Sequence, residues 1–328
     1  MTAGARFTGV LSKKKGSVML GFCVAFFDPY GYKLPRQHAT ATLQFLVDTG
    51  FPVSLGQVVR PGDAPLDVPS GLAFNNIYES ADVIFYKENL WNLAAQKLDV
   101  DHIMFIDSDV YFRDKNWLKI LRDKLDDGND CIQLFSSACW ESQSGKVIRE
   151  RPAVLHATQR GQRLNLMHQH PGFGFFIQQQ TFNRINGFFD RCIHGDGDSA
   201  FIAAMFDDKY VKYIIRRGRS WPTTFSKLPY QLWRAAVLKE CLRKSAPDNL
   251  RIYHRWHGDL KNRQYNKNKH KKYVTLDPAR PQLLKKREDG LLQWVYPQPE
   301  MINMWKDRQE DGPIGGAFRP TMFQPTQE

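Results

Sequence analysis

Most short catalytic signatures are missing from this 328-residue chain. It has no Gly-x-x-x-x-Gly-Lys-Ser/Thr phosphate loop, no Gly-x-Ser-x-Gly elbow and no His/Cys spacing of the zinc type. Those absences exclude P-loop, nucleophile-elbow and zinc-finger readings, and the lack of an internal repeat excludes a solenoid or propeller. Cysteine is sparse and odd in number: Cys23, Cys131, Cys139, Cys192 and Cys241. Most sit in apolar surroundings, so they read as buried free thiols in a reducing compartment. The apolar run Val18 to Phe27 follows Lys13-Lys14-Lys15 but leads into Asp28-Pro29-Tyr30-Gly31, without a small-residue cleavage site. It is also too short to cross a bilayer, so we expect a buried first strand, no transmembrane segment and a cytoplasmic protein. Acid is scarce in one region. From Lys209 to Arg287 there are 22 Lys and Arg against four acids, a local charge of +18 within a total of +12. That concentration is either a solvated basic surface or the footprint of a polyanion.

What is present centres on His102 to Phe112, where the apolar run Ile103 to Ile106 ends in Asp107-Ser108-Asp109. Short apolar runs read as strands buried on both faces of a parallel sheet. Asp is a poor strand residue, which places both carboxylates at the C-terminal edge, where open α/β sheets bind ligands. Two acids there repel unless a cation sits beside them, and oxygen ligands of this kind suit Mg2+ or Mn2+. The tripeptide alone is weak, because Asp-x-Asp recurs at Asp99-Asp101 and Asp196-Asp198 and also suits a capped turn. The expected elements around it are strands Met19 to Phe27, Val53 to Val59 and Cys131 to Phe135. Helices are expected over Gln37 to Thr49, Asn76 to Lys97 and Asn116 to Leu125, with a mobile hairpin or loop from Glu141 to Arg163.

Further blocks join the Asp-x-Asp strand. Tyr86 to Ala94 precedes it; His170-Pro171-Gly172-Phe173-Gly174 enters a strand; Ile185-Asn186-Gly187-Phe188 makes a turn; and Gly195-Asp196-Gly197-Asp198 opens an apolar helix. Trp256-His257-Gly258 then runs toward Lys261, Asn262 and Arg263. Together they resemble the nucleotide-sugar-dependent glycosyltransferases of the GT-A fold, from about Met19 to Gly312. The Trp-His-Gly segment is most similar to bacterial and phage members.

The resemblance implies an α/β GT-A (Rossmann-like) fold: a mixed, mostly parallel sheet flanked by helices, with a basic C-terminal extension. It divides the chain into a flexible tail (1–17), a catalytic domain (18–265) and the extension packing on it (266–328). It assigns the metal, Mn2+ or Mg2+, to Asp107, Asp109 and His257, with His254 as the competitor. Ser108, Lys87, Asn89, Gly258, Lys261 and Arg263 would meet a nucleoside-diphosphate sugar, UDP-linked by preference, and Gly172 and Trp256 the acceptor. The galactosyltransferase-like branch has Gly-Glu-Asp-Asp where this chain has Gly-Asp-Gly-Asp, so the base is Asp198 or Asp196. Asp198 is favoured by the apolar helix face after it, and either Asp also suits a helix cap. Direct displacement would invert the sugar. Acceptors in the resembled group include surface glycans, lipids, proteins and, in phages, hydroxymethylated DNA bases, so double-stranded DNA is an expected partner and a host cytoplasm an expected setting. Two other classes use the same features: a metal-dependent nuclease and a non-catalytic nucleic-acid-binding module.

Overall fold

Alternation within the first strand determines the two layers around it. In β1 (Leu20–Phe27), Leu20, Phe22, Val24 and Phe26 enter one apolar core while Cys23 and Ala25 enter another, as the two-residue period of a strand requires. The computed structural model describes residues 19–165, 168–192, 195–206, 228–258, 283–298 and 301. After β1 come α1 (Lys33–Val47), β2 (Val53–Val59), β3 (Phe74–Glu79), α2 (Lys87–Ala95), β4 (His102–Asp107) and β5 (Val110–Phe112). Next are α3 (Trp117–Asp126), β6 (Cys131–Gln133), β7 (Ser137–Glu141), β8 (Val147–Pro152), α4 (Val154–Gln159), β9 (Gly174–Gln178) and α5 (Gln179–Arg184). The remaining described elements are α6 (Gly197–Ala204), α7 (Leu228–Lys239), β10 (Lys244–Ser245), β11 (Arg251–His254), β12 (Leu284–Lys286) and β13 (Leu292–Trp294).

Seven strands form the main sheet in the order β10-β6-β9-β4-β1-β2-β3. Only β9 runs against its neighbours there, so the described sheet is mixed and mostly parallel. Helices α1 and α3 cover one face through Leu43, Leu46, Trp117 and Leu121; α2, α6 and α7 cover the other through Leu90, Trp91, Phe201 and Tyr230. Gly56 lets α2 lie close, since a Cβ there would stand 2.9 Å from the Leu90 carbonyl oxygen. Each fully buried side chain of this size contributes about 1.5–3 kcal/mol. A second sheet, β5-β11-β7-β8, stands beside the C-terminal end of β4.

The mixed, mostly parallel sheet flanked by helices expected from the sequence is the one observed, with local corrections. Helix α1 starts at Lys33, four residues before expected, because Pro35 falls in its first turn, where a missing N–H costs nothing. The expected helix from Asn76 is replaced at its start by edge strand β3. There the Asn76 side chain donates to the Leu55 carbonyl and to Ser54 Oγ, and pairing with β2 overrides helical spacing. The segment from Glu141 takes the hairpin form, β7 against β8, and adds α4. Its polar residues fall on a strand whose side chains alternate between part-buried and exposed. Cys23, Cys131, Cys139 and Cys192 are buried free thiols, while Cys241 is exposed. Within the expected extension, Leu284, Leu292 and Trp294 lie in the same core as Trp91. The tail 1–17 and most of the basic stretch lie outside the described residues. Among the described residues, no helix is long and apolar enough to cross a membrane.

Candidate active site

Parallel β1 and β4 end on one edge of the sheet, and antiparallel β9 begins there, so the loop into β9 meets the carboxylates at the end of β4. Asp107 closes β4, and its N–H donates to the Phe173 carbonyl. Gly174 makes this crossing possible: its φ is +148°, and a Cβ would stand 2.3 Å from the Phe105 carbonyl oxygen. Ser108 follows, half-buried, and then Asp109, whose carbonyl accepts from the Arg255 N–H. The antiparallel pairing of β5 with β11 sets His254 opposite Val110, and a turn three residues on brings back His257, followed by Gly258 at φ +110°.

Two imidazoles thereby converge on one carboxylate oxygen. Nε2 of His257 is 3.0 Å and Nε2 of His254 is 3.2 Å from Oδ2 of Asp109, and the two nitrogens are 3.3 Å apart. Both imidazoles are buried, and the ligand atoms of all three residues lie within 4.8 Å of one another. Phe173 stacks on His254, while His38 Nε2 bonds the Trp256 carbonyl, 2.8 Å away, behind His257. Burial pushes Asp109 up, but His254 and His257 outweigh it and hold the carboxyl well below the usual range. An anionic oxygen with two imidazole nitrogens is a donor set that fits a divalent cation, and the nitrogens suit Mn2+ better than Mg2+.

Asp107 faces a different neighbour. Its Oδ1 lies 3.3 Å from Lys87 Nζ, which is 2.7 Å from Asp198 Oδ2 and 3.8 Å from Glu88 Oε1. Lys87 opens α2 and packs its ammonium against the Trp91 ring. Asp198 sits in the first turn of α6. Gly172 and Gly197 leave room for this cluster: a Cβ on Gly172 would stand 2.5 Å from Asp198 Oδ2, and one on Gly197 would stand 2.1 Å from the Glu88 carboxylate. Burial raises Asp107 to about 7, aided by Asp198 and Asp109 and opposed by Lys87. Burial likewise raises Glu88 to about 8, against the pull of Lys87. For Lys87 the order reverses: burial would lower it, and its carboxylates hold it well above the ordinary lysine value. His170 is kept neutral, lowered to about 3 by burial first and then by His254 and Lys87. Its Nε2 is buried beside Gly172, without a hydrogen-bond partner among the described residues.

The expected site residues therefore separate into groups. Asp109, His257 and the competitor His254 meet directly; Asp107, Lys87 and Asp198 meet through the ammonium, with Gly172 against Asp198. Asp196 adopts φ +70° and its carbonyl begins α6, so Asp198 and not Asp196 reaches Lys87. Asn89 is spent elsewhere, donating to the Gly290 carbonyl and accepting from the Leu292 N–H. Lys261 and Arg263 lie outside the described residues. Sequence reasoning missed Glu88 and His170. The one signal for Glu88 was glycine at position 197, facing a carboxylate too far away in sequence to be connected with it.

No family model matches the chain, and no curated protein matches it. Among solved structures, it is similar to glucosyl-3-phosphoglycerate synthase from Mycobacterium tuberculosis in complex with Mn2+, UDP-glucose and phosphoglyceric acid. There the identity is 12%, the TM-score 0.41, and the match covers 86% of this chain and 88% of that one. It is also similar to S. aureus TarS 1-349 in complex with UDP-GlcNAc, at 12% identity and TM-score 0.40, over 72% of this chain and 58% of that one. The match thus spans about three fifths of the length of the TarS fragment. A third similar structure is the catalytic domain of Drosophila beta1,4galactosyltransferase 7 with xylobiose, at 11% identity and TM-score 0.38, over 88% and 99% of the two chains.

Proposed function

We propose that the chain is a metal-dependent glycosyltransferase that moves a sugar from a nucleoside diphosphate, UDP by preference, to an acceptor hydroxyl with inversion. The observation that carries this reading is the meeting of Asp109, His254 and His257 at a sheet edge beside the Lys87-linked pair Asp107 and Asp198. Asp109, His254 and His257 would hold Mn2+, or Mg2+, and Asp107 would stand next to it. The bound cation supplies positive charge against the diphosphate as it departs. Ser108, Gly258, Lys261 and Arg263 are assigned to the donor, and Trp256 and Gly172 to the acceptor side. Asp198 takes the proton of the acceptor hydroxyl as its oxygen attacks the anomeric carbon; the carbon–oxygen bond to the diphosphate breaks and its electron pair leaves with the phosphate. For the acceptor we propose a polyanion, with hydroxymethylated bases of double-stranded DNA ahead of a surface glycan or protein. Support comes from the +18 charge between Lys209 and Arg287 and the aromatic residues interleaved with it, such as Trp221, Trp256 and Tyr265. A cytoplasmic setting is proposed from the unpaired cysteines. Incubation with a panel of nucleotide sugars and Mn2+, reading released nucleoside diphosphate, tests the donor half. Release from none of them would overturn it.

A further inference from the structure

Lys87 is more deeply engaged than a donor contact requires. Its ammonium is buried among three carboxylates: Asp198 at 2.7 Å, Asp107 at 3.3 Å and Glu88 at 3.8 Å. Asp107 belongs to the motif that ends in Asp109, whereas Asp198 comes from α6, so this ammonium joins the two halves of the site. It also orients Asp198. Oδ2 is taken by Lys87 and backed by Gly172, while Oδ1 is buried with no hydrogen-bond partner among the described residues. We propose that Lys87 is a positioning residue: it fixes Asp198 so that Oδ1 receives the acceptor proton, and it competes with the divalent cation for Asp107. A bound cation would draw Asp107 away from the ammonium and leave Lys87 to Asp198 and Glu88, which would couple a loaded donor subsite to an oriented base. The inference rests on the reading of Asp109, His254 and His257 as metal holders and of Asp198 as base.

Competition of this kind has a sign that packing alone does not produce. A fixed positive charge this close to a metal-site carboxylate, in a buried place that salt does not screen, opposes the cation directly. The test titrates the full chain with Mn2+ alone, in wild type, Lys87→Met, Lys87→Arg, Asp198→Asn and the Lys87→Met/Asp198→Asn pair. Lys87→Met is expected to bind Mn2+ at least about tenfold tighter, and Lys87→Arg to stay near wild type. Asp198→Asn is expected to weaken Mn2+ by about threefold or more, because Lys87 then turns more fully to Asp107, and to lose that effect in the Lys87→Met background. If Lys87→Met binds no tighter than wild type, or Asp198→Asn acts equally in both backgrounds, the proposal is overturned. Should Lys87→Met fail to fold, Lys87→Met/Glu88→Gln, which removes one buried charge of each sign, carries the same expectation. If neither folded wild type nor the folded Lys87→Met variant binds Mn2+, both the metal reading and the Lys87 competition are overturned; binding gained only by the Met variant supports both.

Discussion

Asp109 is the residue on which the site turns, because one of its oxygens is shared by two buried imidazoles. Asp109→Asn is expected to weaken Mn2+ by about two orders of magnitude or more, read by equilibrium titration, with the fold kept because the residue ends no packed strand. Asp198→Asn is expected to lower turnover by roughly 10²–10⁴-fold while the donor KM at saturating Mn2+ stays near wild type, as loss of a base requires. A normal Asp198→Asn beside an inactive Asp196→Asn would move the base two residues upstream. Glu88 provides a stability test. Its folded value, about 8, lies above the ordinary 4.5, so between those values the folded state holds more proton than the unfolded. Its contribution is therefore complete below about pH 4.5 and lost as pH rises through about 8; Asp107, raised to about 7, acts in the same direction. Above about pH 6.5, where His170, lowered to about 3, no longer pulls the other way, urea midpoints of metal-free protein should fall with pH up to about 8, and Glu88→Gln should flatten the decline. An unchanged slope would remove Glu88 from the account.

At the scale of elements, the site depends on how β9 and its approach loop cross the end of β4. Gly174→Ala combines a backbone conformation that side chains rarely adopt with a clash against the Phe105 carbonyl, and is expected to cost roughly 3 kcal/mol. Thermal unfolding measures it, and a loss below about 1 kcal/mol would show that the crossing is looser than described. These elements also show what the sequence could reveal. Strands β1 and β4 were legible because apolar runs end in charged turns, β2 because its Val and Leu residues lead into Arg60-Pro61-Gly62, and α6 because Asp198 precedes an apolar face. Edge strand β3 was not, because its mixed, exposed residues gain their order from β2 alone. Within the site, Asp107 and Asp109 could be read from their strand, and His254 and His257 as competitors for one role. Their joint convergence on Asp109 depends on the β5–β11 pairing, a contact between residues more than 140 positions apart that no local pattern encodes.

For the whole molecule, charge is the dominant asymmetry. The stretch from Lys209 to Arg287 carries +18 while the rest of the chain carries −6. A polyanionic acceptor predicts binding to double-stranded DNA whose affinity falls steeply and linearly against log salt, with a slope set by several phosphate contacts. Labelled sugar should then pass to hydroxymethylcytosine-containing DNA and not to unmodified DNA, after the base is turned out of the stack. No binding at low salt would move the acceptor to a glycan or protein. The tripartite division at residues 17 and 265 remains part of the proposal, and burial of Leu284, Leu292 and Trp294 against α2 predicts that truncation before residue 283 destabilises the catalytic unit.

The central claim is that the cluster around Asp109 holds a divalent cation for sugar transfer from a nucleoside diphosphate. The most direct measurement is release of nucleoside diphosphate from a panel of nucleotide sugars by wild type and Asp109→Asn, with Mn2+ and with chelator. The account predicts release by wild type with Mn2+ only, and none by Asp109→Asn under either condition. Equal release with chelator, or by Asp109→Asn, would contradict it.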